Sequence, residues 1–272
     1  MRQSVYILIF IFLSITFYAQ KIKTPATNLQ SFVRFTENKH QWDKSILYRA
    51  QLDGGALFVE KSGQLTYNLY DKDSYRARHL GRNINDKLKY HAYTVSFDGA
   101  NEYPKISSSK KSDDYVNYFV GKNKNKWVSK VYSYNALLFE NLYDNIDATY
   151  VGGKQSLKYT FIVKPGGNSD NIKISYKGID HIRLKNNELH VSTSLNESIE
   201  QAPFVYQLIN NDTVIVPCHY KLQNNIVSFE LLNDYNHSID LMIDPLLVFS
   251  ASSGSTADNF GMTATFDSRG SL

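Results

Sequence analysis

Leu157-Lys158-Tyr159-Thr160-Phe161-Ile162-Val163 decides how this chain is read. Tyr159, Phe161 and Val163 share one side of an extended backbone, and Lys158 and Thr160 share the other, because successive side chains of a strand point to opposite faces. The same period of two recurs at Ile172, Ile174 and Tyr176, at Val216, Cys218, Tyr220 and Leu222, at Val227, Phe229 and Leu231, and at Ile239, Leu241 and Ile243. One face dry and one wet is the mark of antiparallel sheets rather than βαβ units. Turn-forming stretches separate the runs: Pro165-Gly166-Gly167-Asn168, Lys185-Asn186-Asn187, Asn210-Asn211-Asp212, Gln223-Asn224-Asn225 and Asn233-Asp234. Their spacing predicts an all-β chain built as an antiparallel β-sandwich, one large or two consecutive.

The first half repeats the pattern less regularly. Strands are expected over 46–52, 56–59, 65–70 and 91–97, with turns at Asp53-Gly54-Gly55 and Lys61-Ser62-Gly63. Residues 71–89 read as a long loop or a short edge excursion and 104–114 as an exposed loop, and at most a short helical turn is expected over 114–119. The resulting organisation is a signal peptide over 1–19, a linker over 20–31, a first β region over 32–150 and a second over 151–245. The two β regions are open to being one domain. Beyond Pro245 the texture turns to Ser, Thr, Gly and Ala. Residues 246–272 are expected to begin a further domain whose returning strand is cut off, since half a hairpin cannot bury its own apolar face.

The address is read from the N-terminus. Arg2 precedes an uncharged run from Val5 to Phe17, followed by Ala19-Gln20. That run is shorter than the roughly 18–20 residues a spanning helix needs and ends at a small residue suited to cleavage. A secretory signal peptide removed after about Ala19 is therefore expected, with a secreted or cell-surface mature chain and no membrane span in it. Composition agrees with a folded exported domain: 272 residues, 42% hydrophobic, 14% aromatic, with 20 Tyr and 15 Phe. A disordered chain would be far less apolar. A formal charge of +4 excludes global basicity, so no nucleic-acid partner is expected. The single cysteine, Cys218, excludes an internal disulfide and reads as a core residue.

Motifs for chemistry are sparse. None of the seven histidines sits at metal-ligand spacing, and no nucleophile elbow occurs. The candidate ligand-binding residues are Trp42, Trp127, Glu37 and Asp43: Glu37 and Asp43 flank Trp42, and a tryptophan beside two acids suits a sugar-binding groove or glycoside hydrolysis. The competing reading makes Trp42 a core aromatic and the acids turn caps. Asp244, before Pro245, reads as a residue fixing a turn through its own backbone. Lys110-Lys111 and the run from Lys122 to Lys126 form basic loops near Trp127, either solvated or in contact with a polyanion. Asp258-Asn259 and the 267–270 turn carry oxygens of the kind Ca2+ takes, with the ligand count left open, so no cofactor is expected.

Several stretches together carry a resemblance: Phe35-Thr36-Glu37-Asn38-Lys39-His40-Gln41-Trp42, Asn117-Tyr118-Phe119-Val120-Gly121, Leu142-Tyr143-Asp144-Asn145-Ile146-Asp147, Ile243-Asp244-Pro245 and 257–270. The first is similar to an F-x-E-N-x-G-Q-W opening, with His40 where the pattern has Gly. In that order they resemble the N-terminal domain, of unknown function, of Bacteroidetes-type secreted proteins with SBBP (β-propeller) repeats. The resemblance implies export, association with type IX secretion or gliding motility, and a propeller repeat starting near residue 246. It implies no catalytic residue. The expected function is a non-enzymatic structural or adhesive module of an exported bacterial protein, whose partner is an extracellular polysaccharide or a surface protein. The alternative is a carbohydrate-binding or carbohydrate-active domain using Trp42 and Trp127.

Overall fold

The computed structural model describes residues 33–80, 87–154 and 156–248. Residues 1–19 and 20–31, read above as signal peptide and linker, and the 249–272 segment with its repeat motif and candidate Ca2+ oxygens lie outside the described residues.

The described strands are β1 (Phe35–Glu37), β2 (Ile46–Leu52), β3 (Gly55–Glu60), β4 (Leu65–Tyr70), β5 (Tyr90–Phe97), β6 (Lys105–Tyr118), β7 (Val128–Tyr143), β8 (Ile146–Gly152), β9 (Ser156–Val163) and β10 (Ile174–Lys177). Then follow β11 (His181–Lys185), β12 (Glu188–Ser192), β13 (Glu197–Glu200), β14 (Phe204–Ile209), β15 (Asp212–Ile215), β16 (Cys218–Gln223), β17 (Ile226–Leu231), β18 (Leu241–Asp244) and β19 (Leu246–Val248). An α-helix, α1 (Lys72–His79), follows β4. The ladders are antiparallel and join into one large sheet.

That sheet branches at β7. One edge of β7 carries β6, while the other carries β1 at Phe35↔Tyr134 and β8 at Ala136↔Val151. From β1 the ladder continues through β2, β3, β4, β5, β10, β17 and β16. From β8 it passes to β9, whose far edge meets β18 at Leu241↔Val163 and β19 at Leu246↔Lys158. Both branches bury their inner faces in one apolar cluster. Leu157, Phe161 and Val163 of β9 are at most 1% exposed, and Phe161 meets Phe97 of β5 at 6.1 Å and Phe229 of β17 at 6.0 Å between ring centroids. Each such side chain contributes about 1.5–3 kcal/mol on leaving water. The alternation read around Phe161 is thus the inner face of β9.

Three hairpin turns are Asn-Asn pairs with both residues at positive φ: Asn186 and Asn187 at 53° and 59°, Asn210 and Asn211 at 52° and 71°, Asn224 and Asn225 at 52° and 62°. Two consecutive left-handed residues define the type I′ turn, whose twist matches that of the flanking strands, and Asn tolerates that conformation well. At Gly152 the chain passes so close to the N-terminal segment that a Cβ would lie 1.9 Å from the Val33 carbonyl oxygen. Glycine is what lets the Val33 amide reach the Gly153 carbonyl at 2.9 Å.

Two loop expectations and the helical turn are corrected. Within 71–89 stands α1, capped by Asp71, whose Oδ1 accepts from the Ser74 amide at 2.7 Å. Eight residues with little apolar content leave no 3.6-residue stripe to read. The 104–114 loop and the 114–119 turn are instead β6, a strand of 14 residues. Its Ser-Ser-Ser-Lys-Lys run satisfies its backbone by pairing with β7 and buries neither face, as an outer strand can, so alternation is absent. Asp244 fixes no local turn. Its carboxylate is buried between neighbouring-strand partners, the Lys158 ammonium at 2.6 Å and the Thr160 hydroxyl at 3.2 Å. Among the described residues no helix is long and apolar enough to cross a membrane.

Candidate functional site

The loop between β1 and β2, residues 38–45, is organised around one side chain. Asn38 Nδ2 donates to the carbonyls of Asp43 and Ile46, both at 2.8 Å, while its Oδ1 accepts from the amides of His40 at 3.1 Å and Trp42 at 3.2 Å. Gln41 closes the other side, donating to the Glu37 carbonyl at 2.7 Å and accepting from the Lys39 amide at 2.6 Å. His40 has φ 81°, a left-handed backbone that only Gly adopts freely. The Gly of the F-x-E-N-x-G-Q-W pattern thus has a physical cause, and His40 departs from it at a cost in backbone strain. These interactions fix where the loop holds Trp42.

Trp42 forms part of the wall of an open pocket of about 350 Å3. Beside it stand Asn38, Ile46 and Leu47, and three groups with nitrogen heads: His40, Lys44 and, from the turn after β3, Lys61. The volume is within the range of small-molecule sites. The indole is braced by Tyr118 at the end of β6, edge-on with centroids 5.6 Å apart, and by the Arg49 guanidinium 6.0 Å from its centre.

Trp127 lies elsewhere, at the far end of the β6–β7 hairpin. It is 39% exposed, donates through Nε1 to the Gly121 carbonyl at 3.1 Å, packs at 5.7 Å against Phe119, and carries the Lys124 ammonium 5.7 Å from its ring centre. Tyr118 and Phe119, neighbours in sequence, therefore each touch one of the two tryptophans. Lys126 reaches close enough to act electrostatically on Asp43. The hairpin end and the Trp42 loop are adjacent, but Trp127 does not line the Trp42 pocket.

The two candidate acids are structural in this geometry. Glu37 Oε1 accepts from the Tyr132 amide at 2.9 Å and meets the Lys39 ammonium at 3.1 Å. Asp43 Oδ1 accepts from the amide and hydroxyl of Ser45 at 2.8 and 2.7 Å, bonds that hold its carboxyl below the usual carboxylate range. A general acid needs the opposite shift. Neither acid lines the Trp42 pocket. Asp147, from the 142–147 motif, accepts from the Asn141 amide at 2.8 Å and pairs with Lys164 at 2.6 Å. Cys218 is buried, which pushes its thiol up to about 12 and removes it as a nucleophile near neutral pH. Among the described residues no three His, Cys, Asp or Glu side chains come together as a metal-holding group.

The acid shifted upward is one that sequence reasoning missed. Glu200, at the end of β13, is 4% exposed and lies among the tyrosines of the interior. Its carboxylate oxygens accept from Tyr159 Oη at 2.6 Å and Tyr176 Oη at 2.8 Å. Burial pushes its carboxyl above the usual range, and the two hydroxyls offset that in part. Beside it is a cavity of about 20 Å3, also lined by Tyr67, Tyr93 and Tyr150. That is room for a water molecule, not for a substrate. Alternation on β13 was the signal available, but a glutamate on the inner face reads as an outward residue unless its partners are known.

His40, Lys44 and Asn38 lay within the motif already singled out, whereas Lys61 reaches the pocket only through the β2–β3–β4 ladder. No curated protein matches the chain, and no solved structure matches it. The family described as "Domain of unknown function (DUF7948)" matches residues 35–246, a span running from the first residue of β1 to the first residue of β19. The chain belongs to this DUF7948 family.

Proposed function

We propose that this protein is a non-enzymatic adhesive module of β-sandwich build, carried by an exported bacterial protein at the cell surface or in the medium, and that it grips carbohydrate at Trp42. The observation that carries this reading is the Trp42 pocket. A tryptophan held by a loop hydrogen-bonded through Asn38 walls about 350 Å3 of open space, and no carboxylate lines it. A ring in a fixed position offers a stacking platform with little ordering cost on binding. The absence of an acid pair favours holding over cleaving, since glycoside hydrolysis needs two carboxyl groups across the bond. Export is supported by the uncharged 5–17 run and the small residue at Ala19. The propeller repeat inferred from 257–270 would be what the module leads into.

The test is polysaccharide binding by the intact secreted chain and its Trp42→Ala variant. The wild type is expected to bind at least one polysaccharide of a panel, with affinity falling about tenfold or more in the variant while its circular dichroism stays unchanged. Release of reducing sugar by the wild type, or equal binding by both proteins, would sink the reading.

A further inference from the structure

The charge around Trp42 narrows the occupant. His40, Lys44 and Lys61 are the titratable side chains lining the pocket, and all three carry nitrogen. Neither lysine forms an ion pair with a described residue: the pairs at this end of the molecule are Glu37 with Lys39 and Arg34 with Asp114. The hairpin end beside the pocket continues the pattern. Residues 115–139 hold Lys122, Lys124, Lys126 and Lys130 and no Asp or Glu, a surplus of four positive charges that equals the formal net charge of the whole chain. All four are exposed, and none is in an ion pair among the described residues. Between and beside them Tyr115, Phe119 and Trp127 are 50%, 58% and 39% exposed. Unpaired cations interleaved with exposed rings form a surface complementary to a flexible chain that alternates negative charge with flat faces.

We infer that the occupant of the Trp42 pocket is a uronate unit of an acidic polysaccharide whose chain continues over the Lys122–Lys130 end of the β6–β7 hairpin. The inference rests on the carbohydrate-binding reading above and adds the charge of the sugar and the second half of the surface. A uronate carries one carboxylate per ring, spaced along the polymer, and a lysine meets such a group as a point charge. Nucleic acid is the less suited polyanion. Between β6 and the end of β7 there is no arginine, the side chain whose fork matches phosphate with two parallel hydrogen bonds.

The experiment measures affinity of the full chain for polygalacturonate, neutral dextran and polydeoxythymidine at about 0.05 M and about 0.5 M NaCl. Polygalacturonate is expected to bind at least about tenfold more tightly than either other polymer, and to weaken about tenfold at the higher salt. Two variants divide the surface. The double change Lys44→Ser with Lys61→Ser empties the pocket of lysine charge. The quadruple change of Lys122, Lys124, Lys126 and Lys130 to Ser neutralises the hairpin end. Each is expected to lower polygalacturonate affinity about fivefold or more with an unchanged melting temperature, since all six side chains are exposed. Equal affinity for dextran, insensitive to salt and to both variants, would overturn the acidic occupant and leave carbohydrate binding standing. Tighter binding of polydeoxythymidine would overturn the choice of polymer. Binding of none of the three, with Trp42→Ala silent across the polysaccharide panel, would overturn both readings together.

Discussion

Tyr67, Tyr93, Tyr150, Tyr159 and Tyr176 surround Glu200 inside the sheet, whereas Trp42, Tyr118, Phe119 and Trp127 gather at the outer end of the β6–β7 hairpin. Both regions combine aromatic rings with ionisable groups, and they differ in what surrounds those groups. Inside, the acid has lost its water and has phenol hydroxyls in exchange, with no cation facing it. Outside, Glu37 and Asp43 accept from backbone amides, and Glu37 also meets Lys39. Lys44 and Lys126 act on Asp43 only through space, so that none of Lys44, Lys61, Lys122, Lys124, Lys126 and Lys130 forms a close ion pair with a described acid. The interior network is closed and sized for one water, so it serves stability. The outer one is open, rigid at Trp42 and electrostatically unfinished, which is the condition for binding something else.

The comparison breaks most readily at Glu200. Replacing it with alanine leaves the hydroxyls of Tyr159 and Tyr176 without their acceptor and enlarges the adjoining cavity, so stability is expected to fall by about 2–4 kcal/mol. Urea unfolding measures it. A loss under about 1 kcal/mol would mean that the buried network is no more important to the fold than the surface around Trp42.

A smaller effect sharpens the same contrast through pH. The Glu200 carboxyl is raised in the folded protein above its ordinary value of 4.5. Below that value both folded and unfolded chains hold the proton, and the stabilisation is complete. As pH rises above it the unfolded chain releases the proton first, so stability declines until the folded carboxyl also ionises, and then levels off. Urea midpoints taken from pH 4 upward should show this declining limb in the wild type and lose it in Glu200→Gln. Asp43, exposed and lowered by Ser45, has the opposite sign: its contribution is present above the ordinary carboxylate value and is lost only as pH falls below it.

The smallest expected change lies in the Trp42 loop. His40→Gly relieves a φ of 81° and should raise stability by about 0.5–1 kcal/mol, because the strain removed exceeds the added freedom of the unfolded chain. A differential scanning calorimetry trace of the variant checks the sign. A lower melting temperature would mean that the imidazole's contribution to the pocket wall outweighs the backbone cost.

How much of this was legible beforehand differs by residue. The face shared by Tyr159, Phe161 and Val163 is buried as alternation implies, and the Asn-Asn pairs are turns because their side chains tolerate a left-handed backbone. Trp42 and the acids beside it were visible as a cluster, but not that Asn38 is the hub or that the acids are tied down. The Ser and Lys residues of β6 resemble a loop in sequence because an outer strand that buries neither face shows no alternation. Lys61 and Tyr118 reach Trp42 only through ladders that join distant segments.

The amino-acid sequence by itself determined the strand period, the turn positions and the residue types available at the Trp42 loop, since each depends on neighbours a few residues apart. Only the tertiary structure decided that Glu200 would be buried, that Glu37 would accept from the Tyr132 amide, and that the hairpin lysines would stand beside Trp42. Desolvation and charge pairing are properties of what the folded chain brings together, and strands far apart in sequence supply those partners.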